Sequence, residues 1–148
     1  MLEDIYNFLP LTDRLFSSGM PTGAQLKDIA QAGVEVVINL ALPTAEKALP
    51  NESALVEALN MKYIGIPVEW DRPTGQELQE FMDAMDAHRH QKVYVHCQAN
   101  YRATGFIALY RIQRLGWPTA QAFQDVRRIW NPDDYPVWKA FLADHLPK

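Results

Sequence analysis

The sequence predicts an α/β fold in which a central, mainly parallel sheet is flanked by helices. Segments rich in β-branched residues alternate along the chain with segments whose apolar residues have helical spacing, an order typical of such folds. The clearest strand-like run, 34–40, is mostly apolar, as expected of a strand buried on both faces. A chain of 148 residues, 48% of them apolar, can bury a core of its own, so we expect a single domain over residues 1–148.

The first half of the chain is predicted to alternate strands and helices. The predicted elements are a short edge strand over 14–18, a helix over 22–32, a strand over 34–40, a short helix over 51–59 and a strand over 61–68. Thr22 is a suitable N-cap for the first helix, and Gly33 supplies its C-terminal stop. Asn51 is expected to cap the short helix. Pro67 lies near the end of the last strand, since it cannot donate to a ladder.

The second half predicts a helix, a buried strand and then three further helices. These elements span 74–88, 93–95, 103–115, 120–130 and 136–145. Thr74 and Glu77 have the spacing of a capping box at the start of the first of these helices. That helix carries one apolar stripe, formed by Leu78, Phe81, Met82 and Met85. Gly116 and Pro118 close the helix that follows the strand.

Composition excludes several classes of function. The formal charge of −4, without a run of Lys or Arg, argues against nucleic acid or a membrane surface as a partner. The acidic N-terminus lacks the pattern of a secretory signal, and no apolar run could span a bilayer, so a cytoplasmic protein is expected. The single cysteine rules out an intramolecular disulfide and a Cys-rich zinc site. We expect neither a metal nor another cofactor, and the sequence does not predict the oligomeric state.

Cys97 carries the strongest functional signal in the chain. It directly follows the buried strand Val93–Val95 and precedes a tight loop and a helix. This places the thiol at the ligand-binding edge of an open α/β sheet. Loop N–H groups and the helix N-terminus can bind an anion there and stabilise a thiolate, while the fork of Arg102 matches two phosphate oxygens. The sequence therefore predicts an anion site.

His96-Cys97 followed by Arg102, after Val-Tyr-Val, resembles the signature loop of tyrosine and dual-specificity phosphatases. The segments 16–22, 33–40 and 63–68 are similar to a bacterial phosphatase-like family related to the accessory domain of β-lactamase-hydrolase-like proteins. The resemblance spans roughly residues 10–115. It implies a dual-specificity-phosphatase-like fold and a phosphorylated substrate, either a protein or a small molecule.

The resemblance also implies roles for individual residues. Cys97 would be the nucleophile that forms a cysteinyl-phosphate, and Arg102 would bind the phosphate. His96 would hold the loop and support the thiolate, and the hydroxyl of Thr104 would assist departure of the sulfur. The remaining residues of the predicted phosphate-binding loop are Gln98, Ala99, Asn100, Tyr101 and Ala103.

The spacing of the loop leaves more than one function open. Phosphatase loops usually place five residues between Cys and Arg, whereas four residues, Gln98 to Tyr101, separate Cys97 from Arg102. Rhodanese-type sulfurtransferases use the shorter spacing. A cysteine-dependent phosphatase is the first hypothesis, and a non-catalytic phosphate-binding module and a sulfurtransferase are its alternatives.

Two acids are candidates for the general acid of a phosphatase. Glu69 and Asp71 lie between the strand over 61–68 and the helix capped by Thr74, upstream of Cys97 as the resemblance requires. Asp71 is favoured by residue type. Either side chain could instead be a solvated loop acid.

Overall fold

The computed structural model describes residues 1–147, which form a five-stranded sheet with helices on both faces. The strands are β1 (Leu9–Thr12), β2 (Leu15–Ser18), β3 (Val36–Asn39), β4 (Lys62–Gly65) and β5 (Val93–His96). The helices are α1 (Gly23–Gln31), α2 (Glu52–Ala58), α3 (Gly75–Ala87), α4 (Tyr101–Gln113), α5 (Thr119–Arg127) and α6 (Pro136–Asp144). Short 3-10 turns cover Leu2–Asp4 and Pro132–Asp134.

The sheet has the order β1-β2-β5-β3-β4, so β5 is the central strand. β1 and β2 are antiparallel, whereas β2, β5, β3 and β4 run parallel to one another. His96, the last residue of β5, is in register with Ser18 on one side and Asn39 on the other. The carboxyl ends of four parallel strands thus meet at one edge, where ligands bind in open α/β sheets.

Alternating side chains of the strands build one core on each face of the sheet. Val95 and Ile38 face the larger core, formed with α3, α4, α5 and α6, while Tyr94 and Val37 face the smaller one, under α1 and α2. The alternation follows from the period of two along a strand. It directs the side chains of His96 and Cys97 toward opposite faces of the sheet.

The structure confirms the predicted fold class and corrects several details. β2 is an interior strand, because the unpredicted β1 covers its free side and forms the edge. Pro10 lies in β1 and obscured it in the sequence, although proline is compatible with an edge strand. Asn51 occupies the N-cap position of α2, but its side chain makes no capping hydrogen bond. α4 begins at Tyr101, two residues earlier than predicted.

The capped helices follow the prediction closely. Thr22 accepts a hydrogen bond from the backbone N–H of Gln25, and Thr74 accepts one from Glu77 in the predicted capping box. Gly33 ends α1 with φ +89°, a conformation that favours glycine. None of the helices between residues 1 and 147 combines the length and apolarity that a membrane span requires.

Candidate active site

Cys97 opens a short loop between the end of β5 and the start of α4. Its side chain is almost fully buried, at 1% exposure, and packs at the margin of the larger core. Asn100 takes the left-handed conformation, with φ +71°, and turns the chain into α4. Asparagine adopts this conformation more readily than most other residues. The turn lets the first residues of α4 lie beside the thiol.

The loop is held by hydrogen bonds to the segment before β1. The side-chain amide of Asn100 donates to the backbone carbonyl oxygen of Asn7 at 2.8 Å. In return, the side-chain amide of Asn7 donates to the backbone carbonyl oxygen of Ala99 at 3.0 Å. Gly19, at the end of β2, lies so close that a Cβ there would come within 2.7 Å of the Gln98 carbonyl oxygen. A glycine is therefore required for this approach. The reciprocal contacts fix the path of the loop.

Several backbone donors of the loop are left free. Among residues 1–147, no acceptor takes a hydrogen bond from the N–H of Gln98 or Ala99, or from the first three N–H groups of α4. Unpaired donors in the first turn are a general property of helices. Together with the positive end of the helix dipole they make this loop suitable for an anion.

Arg102 lies in the first turn of α4 and is 6% exposed. One guanidinium nitrogen, Nη1, donates to the carbonyl oxygen of Val68 at 2.7 Å. No other acceptor within residues 1–147 receives a hydrogen bond from this side chain, although a guanidinium carries five N–H donors. Arg102 is therefore anchored at one nitrogen and keeps donors for a ligand.

Cys97 and Arg102 line the same cavity, whose volume is about 440 Å³. The other lining residues are Tyr6, Trp70, Gln98, Ala99, Tyr101 and Tyr135. Four aromatic rings thus surround one thiol and one guanidinium. The pKa of Tyr101 is raised above its ordinary value, mainly by burial and to a smaller extent by the neighbouring phenol of Tyr135. The phenol of Tyr101 is therefore neutral at pH 7.

His96 is fully buried on the opposite side of the loop from the cavity. Its Nε2 lies 2.7 Å from a carboxylate oxygen of Glu52, and its Nδ1 lies 3.3 Å from the carbonyl oxygen of Cys97. Glu52, in the first turn of α2, is 4% exposed. No pattern in the sequence indicates this role, because an acid in the first turn of a helix is common for electrostatic reasons alone.

Thr104 does not line the cavity. Its hydroxyl lies 2.8 Å from the carbonyl oxygen of Asn100 and accepts a hydrogen bond from the indole nitrogen of Trp130 at 2.9 Å. A single hydroxyl thus ties the turn of the loop to the aromatic residues near the C-terminus.

We expect Thr104→Val to lower the free energy of unfolding by about 1–3 kcal/mol, because it leaves the buried indole N–H of Trp130 unpaired. Thr104→Ser is the matched control, since it keeps the hydroxyl, and it should be close to wild type. Urea denaturation followed by tryptophan fluorescence measures both values. Equal stability of the Val and Ser variants would contradict this role of the hydroxyl.

The two predicted acids lie on the loop after β4 but outside the cavity lining. Glu69 is exposed and pairs with Arg72 at 3.1 Å. Asp71 is exposed as well. The residue between them, Trp70, is the one that reaches the cavity, and its carbonyl oxygen accepts a hydrogen bond from the indole nitrogen of Trp138 at 2.7 Å.

Some residues of the site were not singled out as site residues by their pattern in the sequence. Glu52, Asn7, Tyr6 and Trp70 are brought to the loop from distant parts of the chain. Of these, Trp70 lies between the two acids predicted from the sequence. Within residues 1–147, no three His, Cys, Asp or Glu side chains converge in an arrangement that could hold a metal ion.

The sheet order, the strand–loop–helix around Cys97 and the inward guanidinium define the class of folds to which tyrosine and dual-specificity phosphatases belong. A family model described as "DSP-PTPase phosphatase fused to NAD+ Kinase" matches residues 10–131. The chain therefore belongs to this family of cysteine-based, phosphatase-like proteins, as the resemblance of its loop predicted.

Solved structures agree with this placement. A DUF442 protein from Shewanella putrefaciens CN-32, described as a candidate phosphatase, is 38% identical, with a TM-score of 0.86; the match covers 97% of this chain and 91% of that one. A cysteine-to-serine variant of TpbA from P. aeruginosa in complex with pTyr has a TM-score of 0.73 at 20% identity, covering 92% and 82%. The core catalytic domain of the PP-IP phosphatase SIW14 from S. cerevisiae has a TM-score of 0.75 at 15% identity, covering 94% and 85%. No curated protein matches the chain.

Proposed function

We propose that the protein hydrolyses phosphate monoesters through a covalent intermediate on Cys97. The observation that carries this proposal is the cavity that Cys97 and Arg102 both line, at the N-terminus of α4, where the guanidinium of Arg102 keeps unpaired donors. The family membership and the fold support it. The shortened spacing between Cys97 and Arg102 does not remove the arginine from the cavity.

In the proposed reaction the Cys97 thiolate attacks phosphorus, an S–P bond forms and the P–O ester bond breaks. The departing oxygen takes a proton from a general acid, for which Asp71 is the first candidate and Glu69 the second. Water then attacks phosphorus, the S–P bond breaks, and inorganic phosphate leaves as the acid recovers its proton. Covalent catalysis of this type replaces one difficult displacement by two easier ones.

The phosphate-binding loop would stabilise the charge on phosphorus in both steps. The free N–H groups of Gln98, Ala99 and the first turn of α4 supply fixed donors, and Arg102 supplies a planar fork. His96 and the amide of Asn100 would keep the loop in place. These groups are positioned before the substrate arrives, so little reorganisation is needed.

The cavity favours a substrate with a flat apolar group next to the phosphate. Its walls are the rings of Tyr6, Trp70, Tyr101 and Tyr135, and Arg102 is the cationic side chain among its lining residues. An aryl phosphate, on a protein or a small molecule, matches both features. TpbA, which shares the fold, has been crystallised with pTyr.

The direct test is hydrolysis of p-nitrophenyl phosphate without added metal, together with its inhibition by vanadate. Turnover that vanadate abolishes would support the proposal. Binding of inorganic phosphate without any turnover would instead identify the second candidate, a non-catalytic phosphate-binding module. The position of both predicted acids outside the cavity lining is the observation that favours this candidate.

Sulfur transfer requires a different test. In that reaction Cys97 would carry a persulfide, and the protein would transfer sulfur from thiosulfate to cyanide. The matching family model and the 38% identical structure are both described as phosphatase-type, which supports phosphate chemistry. Thiosulfate:cyanide transfer in the absence of phosphatase activity would reverse that order.

We expect Asp71→Asn to slow hydrolysis of an alkyl phosphate by about 10²–10⁴-fold, because the alkoxide that leaves needs a proton. An aryl phosphate with an acidic phenol needs no such help and should be affected far less. The ratio of the two kcat values measures the effect. Glu69→Gln is the matched control on the same loop. If the ratio changes in Glu69→Gln and not in Asp71→Asn, the assignment of the acid is reversed.

A further inference from the structure

Behind the Cys97 loop, on the face of the sheet away from the cavity, lies a buried ion-pair geometry. Glu52 is 4% exposed and His96 is 0% exposed, with 2.7 Å between Nε2 and the carboxylate oxygen. Among residues 1–147, His96 is the one basic side chain within ion-pair distance of Glu52. A buried carboxylate is costly unless a charge or several hydrogen bonds compensate it. The contact with His96 therefore offsets the cost of burying the carboxylate of Glu52.

The two contacts of His96 restrict where its protons can lie. Nε2 faces a carboxylate oxygen, and Nδ1 faces the carbonyl oxygen of Cys97 at 3.3 Å. A carbonyl oxygen can only accept, and an ionised carboxylate can only accept. Both ring nitrogens can therefore donate at once only if His96 is an imidazolium. In that state Nε2 pairs with the carboxylate of Glu52.

Asn39 also contacts the carboxylate of Glu52. The amide nitrogen of Asn39 lies 3.5 Å from the other carboxylate oxygen of Glu52 and 3.2 Å from the hydroxyl of Tyr63. The amide oxygen of Asn39 accepts a hydrogen bond from the backbone N–H of Ala41 at 2.9 Å, so the orientation of the amide is set. Asn39 is also the residue in register with His96 across β3 and β5. The carboxylate is held from two sides.

We propose that Glu52 is a positioning residue of the Cys97 site: it holds an imidazolium on His96 against the Cys97 carbonyl group and so stabilises the thiolate. This inference rests on the proposed function and deepens it. The ionisable groups around His96 are Glu52 from α2, Cys97 on its own strand end and Tyr63 of β4, which is reached through Asn39. Of these, Glu52 is the one in direct contact with the imidazole nitrogen.

The single cysteine of the chain makes the test direct, since alkylation by iodoacetamide reports on Cys97 alone. Glu52→Gln keeps the size of the side chain and can still donate to Nε2 of a neutral His96, but it removes the negative charge. We expect alkylation at pH 6 to be about tenfold slower in Glu52→Gln than in wild type, with the two rates converging at high pH where both thiols are ionised.

Glu57→Gln is the matched control, because it makes the same change on the exposed side of α2. It should leave the pH profile of alkylation unchanged. Equal profiles for Glu52→Gln and wild type, in folded proteins of the same circular dichroism, would overturn the inference. Hydrolysis of p-nitrophenyl phosphate by the wild type decides the proposed function separately, since alkylation needs no turnover.

A measurement on the wild-type protein covers the case in which Glu52→Gln does not fold. The ¹⁵N NMR shifts of His96 distinguish an imidazolium from either neutral tautomer, and the other three histidines of the chain serve as internal references for the measurement. Two protonated nitrogens on His96 at pH 7.5 would support the inference. The inference would be overturned if His96 were neutral at a pH at which Cys97 is alkylated rapidly.

Discussion

Cys97→Ser should lower kcat for p-nitrophenyl phosphate by on the order of 10⁴-fold or more while the protein still binds phosphate. Loss of a catalytic nucleophile has an effect of this size or larger in hydrolases that act through covalent intermediates. A serine hydroxyl is not ionised near pH 7, so the loop can no longer place an anion opposite phosphorus. The free N–H groups and the guanidinium of Arg102 are unchanged by the substitution.

Isothermal titration with inorganic phosphate, run beside the kinetic assay, separates the two effects. Retained binding with lost turnover assigns Cys97 to chemistry and the rest of the loop to recognition. Cys97→Ala serves as a control, because it removes the hydroxyl that could act as a weak nucleophile. Hydrolysis by Cys97→Ser at the wild-type rate would contradict the covalent mechanism.

The sequence was informative wherever local physical chemistry decides the structure. The capping box of Thr74 and Glu77 and the stripe from Leu78 to Met85 depend on short-range spacing, and the structure confirms both. The buried run around β3 was predicted from its β-branched residues for the same reason. The position of Cys97 after a buried strand placed the thiol at the carboxyl edge of the sheet.

What could not be predicted depends on contacts between distant segments. Glu52 meets His96 across 44 positions of sequence, and Arg102 meets the carbonyl oxygen of Val68 across 34. Neither contact leaves a periodic pattern. The start of α4 was predicted two residues late: asparagine is compatible with the left-handed conformation that Asn100 adopts, but this preference does not show at which residue the helix begins.

Aromatic residues near the C-terminus support the site, and this role was not predicted from the sequence. Trp138 donates to the Trp70 carbonyl oxygen at 2.7 Å, and the ring of Trp130 stacks on that of Tyr101 at 4.8 Å. Through these contacts α6 and the segment after α5 support both the loop after β4 and the first turn of α4. The packing of Trp130 and Trp138 in the larger core and the shape of the cavity are therefore connected.

Arg102→Lys should lower kcat/KM for an aryl phosphate by about 10²–10³-fold, even though the positive charge is kept. The guanidinium can donate to Val68 with one nitrogen and to two phosphate oxygens with others, because its donors lie in one rigid plane. A lysine ammonium is a single point of charge and would have to satisfy the buried Val68 carbonyl oxygen or the substrate. Loss of one preorganised donor to a developing negative charge has an effect of this order.

Arg111→Lys is the matched control, since Arg111 is also buried in α4 and pairs with Asp125 at 2.8 Å, beside Trp117 and away from the cavity. It should cost stability without changing kcat/KM. Steady-state kinetics and thermal unfolding of both variants distinguish recognition of phosphate from support of the helix. If Arg102→Lys and Arg111→Lys lower kcat/KM equally, the guanidinium of Arg102 acts on the fold and does not act on the substrate. A decrease confined to Arg102→Lys would show that the guanidinium of Arg102 binds phosphate. It would also show that a loop with four residues between the nucleophile and the arginine can support catalysis.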